Sequence, residues 1–186
     1  MPNFSDGAET ATQSLRSSQD VYFATDYGVR ADGVTDDTAA LAAAIAATPT
    51  SCHLVLPSGS ILITTVAINK TMTMSGQGVG ATFIVPTSNV ATITLNQAIT
   101  SKVYDIVLRD FHISPTGNRG SGHVGLVLGN IGQSVIDNVW VTSAFGGTPY
   151  IGILVENASQ TTWLGAATGC ASDGLKLSPN ATAQAT

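Results

Sequence analysis

Charged residues are scarce in this sequence of 186 residues: Lys, Arg, Asp and Glu together make up 10% of it, against about a quarter in a typical globular domain. Seven of the twelve acids and two arginines lie before residue 38, so the whole net charge of −5 arises in that part. No cluster of Lys and Arg is present, which argues against nucleic acid or an anionic membrane surface as a partner. A body rich in Thr, Ser, Asn and Gly favours a neutral, hydroxyl-rich partner such as a polysaccharide.

Long apolar runs are also missing. The longest, Ala39 to Ala47, has nine residues, well short of the roughly 20 that a membrane-spanning helix needs, so no membrane insertion is predicted. The first twenty residues contain no apolar segment behind a basic start, so the chain is not predicted to be secreted by a signal peptide.

Cysteine is almost absent. Cys52 and Cys170 are far apart and form no metal-binding or redox motif, so neither a metal nor another cofactor is predicted. Because no secretion signal is visible, two free thiols are favoured over a disulfide.

Three regions follow one another along the chain. Residues 1–20 are polar and lack sustained periodicity, which predicts an N-terminal arm or linker. Residues 21–50 pass from a short strand through a turn rich in Gly to a helix, and form the predicted N-terminal cap. Residues 51–186 alternate short strands with turns, which predicts an all-β body of stacked coils that continues, or is covered, beyond its C-terminal end.

The helix is predicted over residues 37–47. Asp36 or Asp37 can cap it, because a carboxylate accepts hydrogen bonds from the first unpaired amides of a helix. Leu41 and Ile45 form one thin apolar stripe among alanines, so the helix can pack closely against a flat surface.

The body contains two kinds of internal repeat. GLVLGN at 125–130 recurs as GILVEN at 152–157 and as GLKLSPN at 174–180, and IVLRDFHIS at 106–114 recurs as SVIDNVWVTS at 134–143. A shift of 28 residues superposes Leu108 on Ile136, Asp110 on Asn138, Phe111 on Val139, His112 on Trp140 and Ile113 on Val141. Repeats of this length built from short strands predict a parallel β-solenoid.

Period-two alternation then assigns the direction of each side chain. We expect one set to point into the core: Leu126, Leu128, Ile153, Val155, Leu175 and Leu177. The set expected to point outward is Val127, Leu154, Glu156 and Lys176. Asn130 and Asn157 fall at equivalent corners, where stacked asparagines can hydrogen-bond along the solenoid axis.

A family resemblance rests on DYGVRADGVTDDTAAL at 26–41 and VLPSG at 55–59. This segment resembles the start of the pectate-lyase-like family, with Val29 in place of the expected alanine and Ala31 in place of the frequent glycine. The resemblance covers residues 21 to 178 and implies a right-handed single-stranded parallel β-helix of about five coils with an N-terminal capping helix. The resemblance implies a structural role in the cap and its turn, and no catalytic role, for six residues: Asp26, Gly28, Asp32, Gly33, Asp36 and Asp37.

That family includes secreted polysaccharide lyases and hydrolases as well as the tailspikes and tail fibres of bacteriophages. The absence of a signal peptide, the N-terminal arm and the lack of a second cap are more typical of a phage spike. The resemblance therefore implies a homotrimer in the virion, held by its arm to other virion proteins, that binds bacterial surface polysaccharide outside the host cell. The alternatives are a polysaccharide depolymerase, either a glycoside hydrolase or a lyase, and a purely structural fibre.

Candidate catalytic residues are few, because glycoside hydrolysis needs two carboxylates about 5 to 9.5 Å apart. Asp137, Glu156 and Asp173 are weak candidates. Glu156 and Asp173 can pair if their coils bring them together, although Glu156 near Lys176 is equally well explained as a surface ion pair. Asp110 is better explained as a turn former.

The best candidate for contact with sugar is an outward patch of Trp140, His112 and Asp137. An exposed indole can stack on a sugar ring while neighbouring polar groups bind hydroxyls. The alternative is that Trp140 packs at the interface between subunits.

Overall fold

The computed structural model describes residues 20–97, 100–142, 147–167 and 169–178, so the predicted arm lies outside the described residues except for Asp20. The described chain forms fifteen short strands, one α-helix and one 3-10 helix. The strands are β1 Val21–Phe23, β2 Asp32–Asp36, β3 His53–Val55, β4 Gly59–Ile63, β5 Val66–Ile68, β6 Thr73–Ser75, β7 Thr82–Pro86, β8 Ile93–Leu95, β9 Val103–Tyr104, β10 Val107–Ile113, β11 Val124–Gly132, β12 Val135–Val141, β13 Ile151–Ser159, β14 Thr162–Ala167 and β15 Asp173–Leu177. The 3-10 helix is Ala24–Tyr27, and the α-helix, α1, is Thr38–Ala47.

The strands form two parallel sheets. Sheet A has nine strands, which are β1, β2, β3, β4, β6, β7, β10, β12 and β14, and sheet B has the other six. The first part of β10 pairs with β6 and its last part pairs with β7. Between these parts Asp110 takes a left-handed conformation with φ 62°, so the sheet turns a corner there and presents a first face before the corner and a second face after it. This all-parallel, curled arrangement is consistent with the predicted parallel β-helix.

The repeats occupy equivalent positions in neighbouring coils, as the sequence predicted. Leu108 is in register with Ile136, Phe111 with Val139 and His112 with Trp140, which confirms the 28-residue shift. In sheet B the three Gly-aliphatic repeats pair in the same way through β11, β13 and β15.

The core follows the predicted alternation through most of sheet B. Leu126, Leu128 and Ile153 are buried in the main apolar core, and Val155 packs against it. Leu175 and Leu177 depart from the prediction of burial, since they are 51% and 65% exposed. They lie on β15, which pairs only with β13 among the described strands, so no described coil covers their other side. Leu175 nevertheless faces the core end, because it lines a cavity of about 310 Å³ that Leu128, Ile153 and Trp163 also line.

The outward side of sheet B holds a second, smaller apolar cluster. Val127 was predicted to point outward, and it lies outside the main core, but it is only 1% exposed. It packs with Val124 and Ile151, and Tyr150 and Leu154 flank the group. An outward position on this face therefore does not guarantee contact with solvent.

Asparagines stack at one corner of sheet B, as predicted. The side-chain amide of Asn157 donates to the side-chain oxygen of Asn130 at 2.9 Å. The ladder extends one coil further than predicted, because the side chain of Asn96 donates to the backbone carbonyl of Asn130 at 2.6 Å. These bonds run between coils and satisfy polar groups at the turn.

Helix α1 lies beside the first coils, where it contacts the 3-10 helix and β5. Its buried residues are Leu41, Ala44 and Ile45, which include the predicted stripe. At its C-terminal end the Lys70 ammonium donates to the carbonyls of Ala46 and Thr48, which suits the negative end of a helix dipole. No helix in the described part of the chain is both long and apolar enough to cross a membrane.

Candidate functional site

An aromatic ladder runs along the outer side of the second face of sheet A. Phe83, His112 and Trp140 are in register on β7, β10 and β12. The ring centroids of Phe83 and His112 lie 5.6 Å apart with the planes tilted by 40°. Those of His112 and Trp140 lie 6.1 Å apart in an edge-on arrangement. Tilted and edge-on pairs are favourable aromatic geometries, so the three rings support one another.

Trp140 and His112 differ in exposure, although both were predicted to face outward. Trp140 is 41% exposed, whereas His112 is only 6% exposed because it lies between Phe83 and Trp140. The Nε2 atom of His112 is 2.5 Å from the hydroxyl of Thr142. Burial lowers the pKa of His112, and a hydrogen bond with the backbone of Val79 partly offsets that effect. His112 therefore supports the exposed indole, and Trp140 offers the stacking surface.

Asp137 lies on the first face, around the corner from Trp140. The corner is made by Asn138, whose φ is 49°. Asp137 is in register with Arg109 on one neighbouring coil and with Leu164 on the other. The structure thus puts a guanidinium and a carboxylate side by side on the outer surface close to the aromatic ladder.

The corner also holds a second carboxylate, that of Asp110. The amide of Asn138 donates to Oδ1 of Asp110 at 2.9 Å, so the residues that the 28-residue shift superposes are hydrogen-bonded across adjacent coils. Arg109 Nε lies 3.8 Å from the other oxygen of Asp110, which is the one salt bridge among the described residues. Asp110 and Asp137 therefore lie near each other on adjacent coils, with Arg109 next to both.

Glu156 and Asp173 are not brought together. Asp173 is in register with Ile151, and Glu156 lies five residues further along β13, or roughly 16 Å at the strand rise of about 3.3 Å per residue. Glu156 accepts a hydrogen bond from Gln97 at 3.1 Å. Lys176 is in register with Leu154, two residues before Glu156 on β13, and the described residues show no ion pair between Glu156 and Lys176.

Local hydrogen bonds and two glycines shape the turn in the acidic N-terminal segment. Asp32 accepts hydrogen bonds from the amides of Val34 and Thr35 and from the Thr35 hydroxyl, and these bonds, chiefly the one from the Thr35 amide, lower the pKa of Asp32 to about 2. Gly33 and Gly28 have φ of 73° and 94°, a region that favours glycine. Asp26 is exposed within the 3-10 helix.

Asp36 and Asp37 have different roles, which the sequence left open. Asp36 accepts from the amide of Thr38, the first residue of α1, at 2.9 Å. Asp37 makes no such bond to the helix; its carboxylate is buried and accepts from the amides of Arg30 and Ala31 at 2.9 and 3.0 Å. Asp37 thus holds the preceding turn against the helix.

The described residues contain no group of three or more His, Cys, Asp or Glu side chains that could hold a metal ion. Cys52 and Cys170 are free thiols, as predicted.

Sequence reasoning missed Phe83 and Arg109. The signal for Phe83 was the alternation in TFI at 82–84, which corresponds to FHI at 111–113 once the coils are aligned. Arg109 was missed because its partner in register, Asp137, was considered only beside Trp140.

Comparisons with known proteins agree with this fold. Residues 22–184 match the family described as Rhamnogalacturonase A/epimerase, pectate lyase-like, and the chain belongs to that family. A solved structure titled Geobacillus virus E2 ORF18 has a similar fold, with a TM-score of 0.66 and 17% sequence identity. The similarity covers 86% of this chain and 34% of that one, so this chain spans about a third of the length of that protein. None of the curated proteins compared with the sequence matches it.

Proposed function

We propose that this chain is part of a bacteriophage tailspike or tail fibre, and that its β-helix binds polysaccharide on the surface of the host bacterium. The observation that carries the proposal is the exposed Trp140 indole, held by His112 at the outer surface beside the Asp137 and Arg109 pair. An indole face binds the apolar face of a sugar ring, and the neighbouring charged groups can bind its hydroxyls. The fold shared with a viral protein and the membership of a family with carbohydrate-related names support this choice.

The proposal also covers how this chain is built and how it is held in the virion. Helix α1 would act as the N-terminal cap of a right-handed β-helix of about five coils, since it buries Leu41 and Ile45 beside the first strands. Residues 1–20 would bind other virion proteins. The exposed Leu164, Leu175 and Leu177 at the last described coil would be covered by further coils or by other subunits of a homotrimer.

The test measures binding of the purified protein to a panel of bacterial capsular and O-antigen polysaccharides. Trp140→Ala should lower the affinity at least tenfold, since loss of a stacking aromatic costs on the order of 1.4 kcal/mol or more. Phe23→Ala is the matched control, because Phe23 is 50% exposed on β1, at the other end of sheet A. Equal affinities of Trp140→Ala and the wild type would contradict the proposed surface, and binding to no polysaccharide would contradict the function.

Polysaccharide cleavage is the second candidate function. The observation that favours it is that the carboxylates of Asp110 and Asp137 lie at one corner of the outer surface. Glycoside hydrolases use a pair of carboxylates that flank the bond to be cleaved. The assay follows release of reducing ends and the absorbance of unsaturated uronates from a polysaccharide that the protein binds. If Asp137 takes part, Asp137→Asn abolishes release while binding through the Trp140 surface remains measurable. No release by the wild type would rule out cleavage for this chain.

A further inference from the structure

All three histidines of the sequence lie within hydrogen-bond distance of a hydroxyl group through Nε2. The pairs are His53 with Ser75, His112 with Thr142 and His123 with Thr92. His112 and His123 are buried, and their partners are secondary alcohols. His53 is half-buried, and its partner is a serine with a less hindered primary hydroxyl. The Ser75–His53 pair therefore has the composition of a nucleophile beside its base.

Two neighbouring strands hold the Ser75–His53 pair on the outer side of the first face of sheet A. On β3 the residue after His53, Leu54, is fully buried in the core, so His53 points outward. On β6 the buried residue is Met74, so Ser75 points outward as well. His53 is in register with Thr73, and its Nε2 atom lies 2.7 Å from the hydroxyl of Ser75, two residues further along β6. Strands hold such a pair more firmly than a loop would.

His53 is a neutral base at pH 7. Burial first and the charge of Arg109 second lower the pKa of His53 below its usual value of 6.5. In a neutral ring whose proton is on Nδ1, the Nε2 atom is free to accept the proton of the serine hydroxyl. His53 can therefore act as a general base toward Ser75.

Arg109 supplies a positive charge next to the serine. It is in register with Ser75 on β10, and its side chain is 48% exposed on the outer surface. A guanidinium at this position can stabilise the negative charge that develops on a carbonyl oxygen when a nucleophile attacks it. Ser75 itself is 5% exposed, so we expect a substrate to reach it beside the exposed Arg109 side chain.

We propose that the Ser75–His53 pair hydrolyses carboxylic esters, with Ser75 as the nucleophile, His53 as the general base and Arg109 as the group that stabilises the oxyanion. The substrate class is an acyl ester of a sugar hydroxyl. Arg109 is also in register with Asp137, beside the Trp140 surface, so an acyl group on a glycan bound there can reach Ser75. The esterase activity goes beyond the proposed function, and only the choice of a glycan ester rests on it.

The reaction has two halves and needs only water as a second reactant. In the first half, Ser75 Oγ forms a bond to the carbonyl carbon of the ester while its proton passes to His53 Nε2. The bond from that carbon to the sugar oxygen then breaks, the sugar oxygen takes the proton from His53, and an acyl-serine remains. In the second half, water gives a proton to His53 while its oxygen bonds to the acyl carbon, and Ser75 Oγ leaves and takes that proton back. The products are the free sugar hydroxyl and a carboxylic acid.

The first test uses a fluorophosphonate probe, which reacts with an activated serine. The wild-type chain should take up a single label, and peptide mapping by mass spectrometry should place it on Ser75. His53→Gln should slow the labelling by about 100-fold or more, the usual contribution of a general base. Ser60→Ala, at a half-buried serine on β4, is the matched control for Ser75→Ala and should keep the label. A wild-type chain without label on Ser75 overturns the inference, whether or not the variants fold.

Hydrolysis of p-nitrophenyl acetate measures the activity without any glycan. Ser75→Ala should abolish it, and Ser60→Ala should leave it unchanged. In the wild type, kcat/KM should fall at acidic pH, where His53 becomes protonated and can no longer accept a proton. Circular dichroism and the midpoint of thermal unfolding establish that the variants are folded. Equal rates for the wild type and folded Ser75→Ala overturn the inference.

The natural ester is tested separately. An acetylated polysaccharide that the protein binds should release acetate, followed by ¹H NMR, and Ser75→Ala should release none. If the wild type hydrolyses p-nitrophenyl acetate but releases no acetate from such a polysaccharide, the glycan ester is wrong and the esterase activity stands. If the wild type binds no polysaccharide but is labelled on Ser75, the proposed function fails and the esterase activity again stands.

Discussion

The side-chain amide of Asn157 donates to the side-chain oxygen of Asn130 at 2.9 Å, across two coils of the solenoid. Asn130 in turn donates to the carbonyl of Thr100 at 2.9 Å. Each asparagine thus joins its own corner to the next one, and these side-chain bonds add to the backbone hydrogen bond from the Asn130 amide to the Asn96 carbonyl at 3.1 Å.

Asn130→Ala should therefore lower the free energy of unfolding by about 1–3 kcal/mol, because the Asn157 amide and the Thr100 carbonyl both lose a partner. Urea unfolding followed by circular dichroism gives the value. Asn69→Ala, at an exposed position just after β5, is the matched control and should change stability by less than about 0.5 kcal/mol. Equal effects of the two substitutions would show that the ladder contributes nothing.

Asp37 and Asp36 offer a matched pair of neighbouring carboxylates. Asp37→Asn replaces a carboxylate oxygen, which accepts from a backbone amide, by an amino group that cannot accept. The substitution should lower the free energy of unfolding by about 2 kcal/mol, whereas Asp36→Asn, at an exposed site, should cost less than about 1 kcal/mol. Chemical denaturation of both variants tests the order, and a larger loss for Asp36→Asn would contradict the role given to Asp37.

Gly59 is required by both its conformation and its surroundings. Its φ is 115°, and a Cβ atom there would lie 2.2 Å from the carbonyl oxygen of Ala31. Gly59→Ala should lower the free energy of unfolding by more than about 2 kcal/mol. Gly80→Ala is the control, since a Cβ at Gly80 meets no atom within 4 Å. The midpoints of thermal unfolding compare the two, and similar midpoints would refute the steric argument.

His123 makes stability depend on pH. The unfolded histidine binds a proton below about pH 6.5, whereas in the folded chain its pKa is lowered to about 4 by burial first and by Arg119 second. The unfolded state then holds more protons between these values, so stability is fully present above pH 6.5 and decreases as the pH falls toward 4. The slope for one such group is at most about 1.4 kcal/mol per pH unit. His53 and His112 act in the same direction, because burial lowers the pKa of each.

Urea unfolding at pH 7 and pH 5 measures this effect. Asp32 does not interfere in this range, since its pKa is lowered from 3.8 to about 2 and its contribution is lost only in stronger acid. His123→Gln should show a smaller loss of stability between the two pH values than the wild type. Identical losses would show that His123 is not the group responsible.

The regular part of the fold was predictable because each coil repeats the same alternation of apolar residues at nearly the same spacing. Alternation placed Leu126 and Ile153 in the core, and equal spacing put His112 beside Trp140. The early coils were harder to read. Phe83 belongs to the same ladder, but the sequence of its coil does not resemble the later repeats, so its pairing with His112 was not recognised.

The candidate site was predictable only in part, because exposure and pairing depend on neighbours from other coils. His112 was expected at the surface and is covered by Phe83 and Trp140. Glu156 and Asp173 were considered as a pair, and the register of β13 and β15 separates them along the strand.

The sequence by itself determined the stacking of parallel coils, the corner asparagines and the acidic segment before the first helix, because these follow from residue type, spacing and local hydrogen bonding. Only the tertiary structure decided which outward side chains reach solvent and which carboxylates meet at the corner with Arg109. The reason is that each of these depends on side chains 22 or more residues apart, which only the winding of the coils brings into contact.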